Sequence, residues 1–309
     1  MEIIKGIENL KGPFRNPVVT LGNFDGVHLG HQRIFKKVKE EARKIGGESV
    51  VITFEPHPLK ILSPAQCPPL LTPFKKKMMF IAETGVDKVL CIQFTMAFAW
   101  LSPPEFVNSI LAGKVGAKKI LVGYNYRFGK EKSGDVDSLK ENCARFGIEV
   151  EVVEALIVDD AIVSSSKIRD LIGNGEVEKA SKLMGRDYPV IGRVIEGAKR
   201  GHTLGIPTAN LEMTEELYPK PGVYAVRVNL HGQCFNGLAN IGFNPTFNAN
   251  AVSLEVHILN FDREIYGEDL QVCFTKRIRD EIRFTSIEML IEQIRKDIEW
   301  AKTNVFRNQ

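Results

Sequence analysis

A chain of 309 residues is long enough for about two domains of roughly 150 residues each. Hydrophobic residues make up 44% and charged residues 26%, an ordinary soluble globular balance with enough apolar material for two cores. A formal net charge of +3 is too small for a nucleic-acid footprint, so nucleic acid is not an expected partner. The local run Lys75-Lys76-Lys77 is read as a solvated face. The five cysteines are widely spaced, odd in number and form no C-x-x-C pair, which points to free thiols in a reducing compartment. The start at Met1-Glu2 lacks the pattern of a signal peptide. The run from Leu90 to Leu101 is too short to span a bilayer. Cytoplasm is therefore the expected location, with no membrane partner.

In chain order, Val18-Val19-Thr20-Leu21 reads as a short buried strand. Ile34, Val38, Ala42 and Ile45 follow at helical spacing, and Gly46-Gly47 should end that helix. Val50 to Phe54 and Val89 to Phe94 read as further strands. Ser102-Pro103-Pro104-Glu105 is a capping box with proline in the first turn, so a helix should start there. Ile120 to Val122 is a strand, Ser138 to Phe146 a helix, and Ile148 to Val153 a strand. Repeated β-α-β units imply a parallel sheet covered by helices on both faces. The pattern changes near Arg186. Strands then dominate at Val190–Val194, Val223–Leu230, Val252–Leu259 and Leu270–Phe274, with His231-Gly232 as one turn signal. A final helix should open with the capping box Thr285-Ser286-Ile287-Glu288 and carry Ile287, Leu290, Ile291, Ile294 and Ile298 on one face. Short strands and one helix point to a small barrel. The expected domains are residues 1–186 and 187–309.

Gly22 to His31, Gly-Asn-Phe-Asp-Gly-Val-His-Leu-Gly-His, lies between the first strand and the first helix. It is neither a Walker A sequence nor G-x-G-x-x-G, but its physics suits a phosphate. Glycines admit close backbone approach, free amides and the helix dipole attract anions, and two histidines three apart can face one spot. On spacing alone, a glycine-rich turn with surface histidines and a metal site needing further ligands stay open beside phosphate binding.

The decapeptide resembles the GxFDGxHxGH signature of bifunctional riboflavin kinase/FMN adenylyltransferases, the prokaryotic FAD synthetases. Three more segments match in order: Phe54-Glu55-Pro56-His57-Pro58 resembles F-x-P-H-P, Gly123 to Gly129 resembles G-x-[DN]-[FY]-x-F-G, and Val163 to Arg169 resembles I-S-S-T-x-I-R. Val163 and Ser166 depart mildly from that last pattern, and Ser166 keeps the hydroxyl. The resemblance implies a Rossmann-like nucleotidyltransferase domain. Its ATP site would include Gly22, Asn23, Phe24, His28, Gly30, His31, Ser165 and Arg169, with His28 and His31 as catalytic residues on the phosphates. Pro56, His57, Pro58, Asn125 and Phe128 would form the flavin side. By packing alone, Phe128 reads as a core aromatic and Ser164 to Ser166 as a helix cap.

In the second half, Leu204 to Asn210 contains Pro207, which stiffens the backbone, and Thr208 and Asn210, whose hard oxygen donors suit Mg²⁺, although such a stretch alone reads as a turn. It resembles the G-x-P-T-A-N motif of riboflavin kinases; Gly237 to Phe247 resembles a second motif, and Leu254 to Phe261 the strand with the catalytic glutamate. The resemblance implies a β-barrel kinase with Glu255 as base, Thr208 and Asn210 as Mg²⁺ ligands, and Gly197, Lys199, Gly201, Thr203, Thr208 and Asn210 around ATP. His202 and Glu196 depart from the family's nucleotide loop, where arginine and histidine are common, which bears on phosphate contact. The implied co-substrate is ATP, with riboflavin, FMN and FAD as substrates or products. A chain with one activity and a relic domain, or a flavin sensor without turnover, are the alternatives; a sensor would not need His28, His31, Thr208 and Glu255 together. A homo-oligomer is left open.

Overall fold

A computed structural model of the chain describes residues 1–197, 206–214, 216–243 and 252–307. The chain divides into two compact units, residues 1–165 and 166–309.

The first unit is built on a six-stranded parallel sheet of β1 (Glu2–Lys5), β2 (Val18–Leu21), β3 (Ser49–Glu55), β4 (Lys88–Gln93), β5 (Lys119–Gly123) and β6 (Glu149–Val153). The spatial order is β1-β4-β3-β2-β5-β6. Alternation along each strand separates two cores. Val19, Leu21, Val50, Ile52, Leu90, Ile92, Ile120 and Val122 face one side with Phe106, Val107 and Leu139. Val51 and Val89 face the other with Phe35 and Ile81, and Val18 and Leu121 pack there against Ile34, Val38 and Ala42. Those partners come from α1 (Leu29–Lys44), from the helix Phe74–Glu83, from the helical stretch Phe106–Val115 and from the helix Val136–Ala144. Helices do cover both faces. Ile45 is the exception on the first helix: it is 45% exposed, because the helix ends at Lys44 and Ile45 is its C-cap. Ser102 and Glu105 form the expected capping box. The helix at 136–144 starts earlier than the periodicity implies, because Asp135 caps it. The strand β1 is too short and too exposed to signal itself in the sequence.

In the second unit, six strands close an antiparallel barrel in the order β10-β13-β12-β11-β14-β9. They are β9 (Tyr188–Ile195), β10 (Ala209–Leu211), β11 (Gly222–Leu230), β12 (Gln233–Phe243), β13 (Val252–Ile258) and β14 (Asp269–Arg279). A small two-stranded ribbon in the first unit supplies β7 (Ile157–Val158) and β8 (Ala161–Ile162). His231 and Gly232 join β11 to β12 with φ of 51° and 80°, the left-handed pair that a two-residue hairpin turn requires. Val177, Ala180, Leu183 and Met184, on the helix Val177–Met184 ahead of the barrel, are buried, and Glu178 there pairs with Lys276 of β14 at 3.3 Å. The compositional switch near Arg186 marks the first barrel strand; the division between compact units falls earlier in the chain.

The last helix, Ile287–Asn304, is capped by Ser286, whose side chain accepts from Met289 N–H. The cap is thus one residue later than the box read at Thr285. Ile287 is 56% exposed, against its expected place on the covering face. The covering face lies further along, where Ala301 and Phe306, with Ile298, Trp300 and Val305 beside them, pack on Ala225 and Leu238 of the barrel.

Candidate active sites

In the first unit the chain leaves β2 for α1 at the point where the sheet order reverses, with β3 on one side of β2 and β5 on the other. Ligands of open α/β sheets bind in the crevice at the carboxyl ends of strands at such a point. His28 is the N-cap of α1, and its Nδ1 accepts from His31 N–H at 3.3 Å. The two imidazoles stack with centroids 3.5 Å apart and planes 19° from parallel. Side-by-side rings do not converge their nitrogens on one ion, which disfavours the two-histidine metal alternative. Gly30 gives the His28 ring its room. A Cβ on it would stand 3.2 Å from two atoms of the His28 ring. A side chain at residue 30 would press the ring away from the helix start by a few tenths of an ångström.

The loop is held in an uncommon shape. Phe24 and Val27 have φ of 50° and 41°, left-handed values that a β-branched residue such as valine adopts only under constraint. Asp25 supplies the constraint. Its carboxylate, 4% exposed, accepts from Leu71 N–H at 3.1 Å, from Thr72 N–H at 2.8 Å and from the Thr72 hydroxyl at 3.0 Å. Gln32 Nε2 donates to Val27 O at 2.9 Å, and Ser165 Oγ donates to Asp25 O at 2.8 Å. Ser165 therefore joins the back of the loop that carries His28. Phe24 is 4% exposed and packs edge-on against His31 and Phe35, beneath the loop and within the core.

The neighbouring loop carries Pro56, His57 and Pro58, all half-buried. His57 caps the short helix Pro58–Leu62, accepting from Leu59 N–H, and its Nε2 lies 3.3 Å from Asn23 Nδ2. The two loops thus touch. Asn125 is exposed beyond β5. Phe128 is 7% exposed, stacked on Tyr126 at 5.7 Å and tilted against Phe106, which is the core position that packing alone assigned to it. Arg169 lies on the helix Ser165–Gly173 and is half-buried.

In the second unit β10 sets Asn210 directly opposite Glu255 of β13, and β12 sets Asn240 opposite Glu255 from the other side. Direct cross-strand partners share a face, so the carboxylate stands between two carboxamides on the outer face, while Val256 fills the barrel at 0% exposure. Thr208 Oγ1 lies 3.5 Å from Glu255 Oε2. The Pro207 carbonyl, 2.8 Å from His257 Nδ1, can only accept, so that nitrogen carries its proton and anchors the turn before Thr208. Gly197 leaves room for Asn210: a Cβ there would stand 2.1 Å from Asn210 Nδ2. Hydroxyl, carboxamide and carboxylate oxygens together are the hard donor set that fits Mg²⁺. Lys199, Gly201 and Thr203, His202, and the segment 244–247 of the second kinase motif, lie outside the described residues.

Sequence reasoning passed over Asp25, Thr72, Asn240 and one lysine. Lys76 and Lys77 are 5% and 6% exposed, not a solvated face. The available signal was helical spacing, since Phe74, Lys77, Met78 and Ile81 fall on one stripe.

Residues 11–167 match the family model described as FAD synthetase, and residues 184–305 match that described as riboflavin kinase. Among curated relatives, the bifunctional riboflavin kinase/FMN adenylyltransferase of Buchnera aphidicola subsp. Schizaphis graminum is 38% identical, covering 98% of each chain. That of Listeria monocytogenes is 41% identical over 91% of this chain and 90% of the relative. That of Escherichia coli (strain K12) is 36% identical over 96% of each. A crystal structure of a protein named Macrolide-efflux Protein from Streptococcus pneumoniae superposes with a TM-score of 0.88 and 32% identity, covering 98% of this chain and 99% of the other. Among the described residues, no helix is long and apolar enough to cross a membrane.

Proposed function

This chain belongs to the bifunctional riboflavin kinase/FMN adenylyltransferases, and on that premise we propose which of its residues carry each reaction. It phosphorylates riboflavin to FMN and adenylylates FMN to FAD with ATP as co-substrate. The observation that supports the assignment most is the row Asn210–Glu255–Asn240 with Thr208 at its edge, because it gathers a carboxylate, two carboxamides and a hydroxyl at one place.

Glu255 takes the proton of the riboflavin 5′-hydroxyl as that oxygen attacks the γ-phosphorus of ATP, and ADP leaves. Thr208 and Asn210 would hold Mg²⁺, which would supply neutralisation of the phosphate charge. Gly197, Lys199, Gly201 and Thr203 complete the ATP loop. At the other site the FMN phosphate attacks the α-phosphorus of ATP and expels pyrophosphate. A phosphate monoester is already a competent nucleophile, so no base is needed and positioning with charge stabilisation carries the step. His28 and His31, with Gly22, Asn23 and Gly30 opening the loop, hold the phosphates at the helix start. Ser165 and Arg169 supply a hydroxyl and a guanidinium for the same oxygens. Pro56, His57, Pro58 and Asn125 line the flavin, while Phe24 and Phe128 support the two loops from the core.

Residues 1–186 are assigned to adenylylation and 187–309 to the kinase. The five cysteines, none in a disulfide, support a cytoplasmic setting, with small molecules rather than nucleic acid or membrane as partners. Incubation with riboflavin, ATP and Mg²⁺, followed by chromatography, should show FMN and then FAD, and chelation should stop both. Riboflavin bound but unchanged would defeat the proposal in favour of a flavin sensor.

A further inference from the structure

Lys77 stands on the helix Phe74–Glu83 behind the loops assigned above to ATP and flavin. It is 6% exposed, and lysine is almost never so buried without a partner. Its Nζ lies 3.3 Å from each of three oxygens: the Asn23 carbonyl, the Phe54 carbonyl and the Thr53 hydroxyl. An ammonium has three donors and no acceptor, so these oxygens use its whole capacity. Burial lowers its pKa below the ordinary value, with Glu55, Cys91 and Asp25 as the charged or titratable groups that oppose the shift. Burial also pushes the Cys91 thiol up to about 11, so it stays neutral through the range in which the lysine matters. Asp25 is already engaged by Leu71 and Thr72. Among the described residues no carboxylate is bonded to the ammonium; the fold accepts a buried cation on neutral oxygens, an arrangement that costs stability compared with an apolar side chain.

The three contacts have one thing in common. The Asn23 carbonyl precedes Phe24, where the backbone turns left-handed into the loop that ends at His28. The Phe54 carbonyl and Thr53 belong to the end of β3, just before Pro56 and His57. One ammonium therefore joins the first residues of the nucleotide loop to the root of the flavin loop.

We propose that Lys77 is a positioning residue for FMN adenylylation: it fixes the two substrate loops relative to each other and, while protonated, sets a positive charge behind the anion-binding loop. It touches no substrate in this role. The proposal rests on the assignment of Gly22–His31 to ATP. Losing such alignment should cost about 10²-fold, the scale of a small misplacement of reacting groups.

The test compares Lys77→Met and Lys77→Arg with the unaltered full-length chain. Adenylylation of supplied FMN is followed between pH 7 and 10, and riboflavin phosphorylation is measured alongside. Lys77→Met should lose about 10²-fold in adenylylation kcat while riboflavin phosphorylation stays within twofold. Lys77→Arg should restore most of that loss. The unaltered enzyme should lose adenylylation at the alkaline end as the lysine deprotonates, and Lys77→Arg should lack that limb, because arginine does not titrate there. Full adenylylation by a folded Lys77→Met chain would overturn the proposal. If Lys77→Met fails to fold, an alkaline limb unchanged in Lys77→Arg would overturn it equally. An unaltered chain that makes no FAD would instead sink the loop assignment itself.

Discussion

At the scale of single residues, the roles proposed for two side chains would separate the two chemistries. His28→Ala should lower FMN adenylylation by about 10²-fold or more, the cost of losing a preorganised donor, and leave riboflavin phosphorylation intact. Glu255→Gln should lower riboflavin phosphorylation by about 10²–10⁴-fold, with FAD still formed from supplied FMN. Asp25 works through the backbone. It anchors a loop with left-handed valine and phenylalanine, so Asp25→Ala should remove adenylylation and destabilise the first unit by about 2–4 kcal/mol, read by denaturant unfolding. A stable variant with normal FAD synthesis would show that the loop keeps its shape unaided. Much of this level was legible. The spacing of His28 and His31 puts them together at a helix start, and the pattern around Glu255 aims it outward. Lys77 was not legible from composition, because a run of three lysines reads as surface until the helical stripe through Phe74 and Ile81 is drawn. Phe24 and Phe128 sit in motifs yet act as core, since a motif marks a loop and not which of its side chains reaches the ligand.

At the scale of elements, strands that bury a full face were readable, and weak ones were not. β2, β3, β4 and β5 carry continuous apolar runs and were found within a residue or two. β10 has three residues, and β12 is interrupted by Asn236, Gly237 and Asn240, so its pattern resembles a loop until its neighbours pair with it. The closing helix was readable as amphipathic, but the spacing alone did not reveal its main polar anchor. Asp297, 3% exposed, receives the Arg279 fork at 3.1, 3.0 and 2.8 Å and a further bond from Gln293 at 2.9 Å. Removing one partner leaves a buried charge unpaired, so Asp297→Ala should cost about 3–5 kcal/mol of barrel stability. A loss near zero would mean that water replaces the pair. In the first unit, Lys119 bridges Glu41, Glu149 and Glu151 at 2.8–2.9 Å. Hydrogen bonds from Lys119 and then Lys44 hold Glu41 down to about 2 from 4.5. Because the folded value is the lower one, this contribution is complete above the unfolded pKa and is lost as pH falls from about 4.5 toward 2. Lys119→Met should therefore flatten that part of the acid unfolding profile of the first unit.

At the scale of the whole molecule, the order of strands and helices predicted an α/β half followed by a barrel, and both are present. The placement of the join was the harder matter. Residues 166–186 are helical, which composition groups with the first half, yet Val177, Ala180, Leu183 and Met184 are buried in the unit that contains the barrel. A fragment of residues 166–309 should therefore be more stable than one of residues 187–309, and both should phosphorylate riboflavin without making FAD. Equal stability would show that the helix adds nothing to the barrel. The central claim is that one chain holds two independent transferase sites, and one measurement addresses it most directly. Products are followed by chromatography from riboflavin, ATP and Mg²⁺ for His28→Ala, for Glu255→Gln, and for an equimolar mixture of the two variants. The account predicts FMN alone from the first, no product from the second, and FAD from the mixture, because FMN released by one site can be used at the other. Loss of both activities in either variant, or a mixture that makes no FAD, would contradict it.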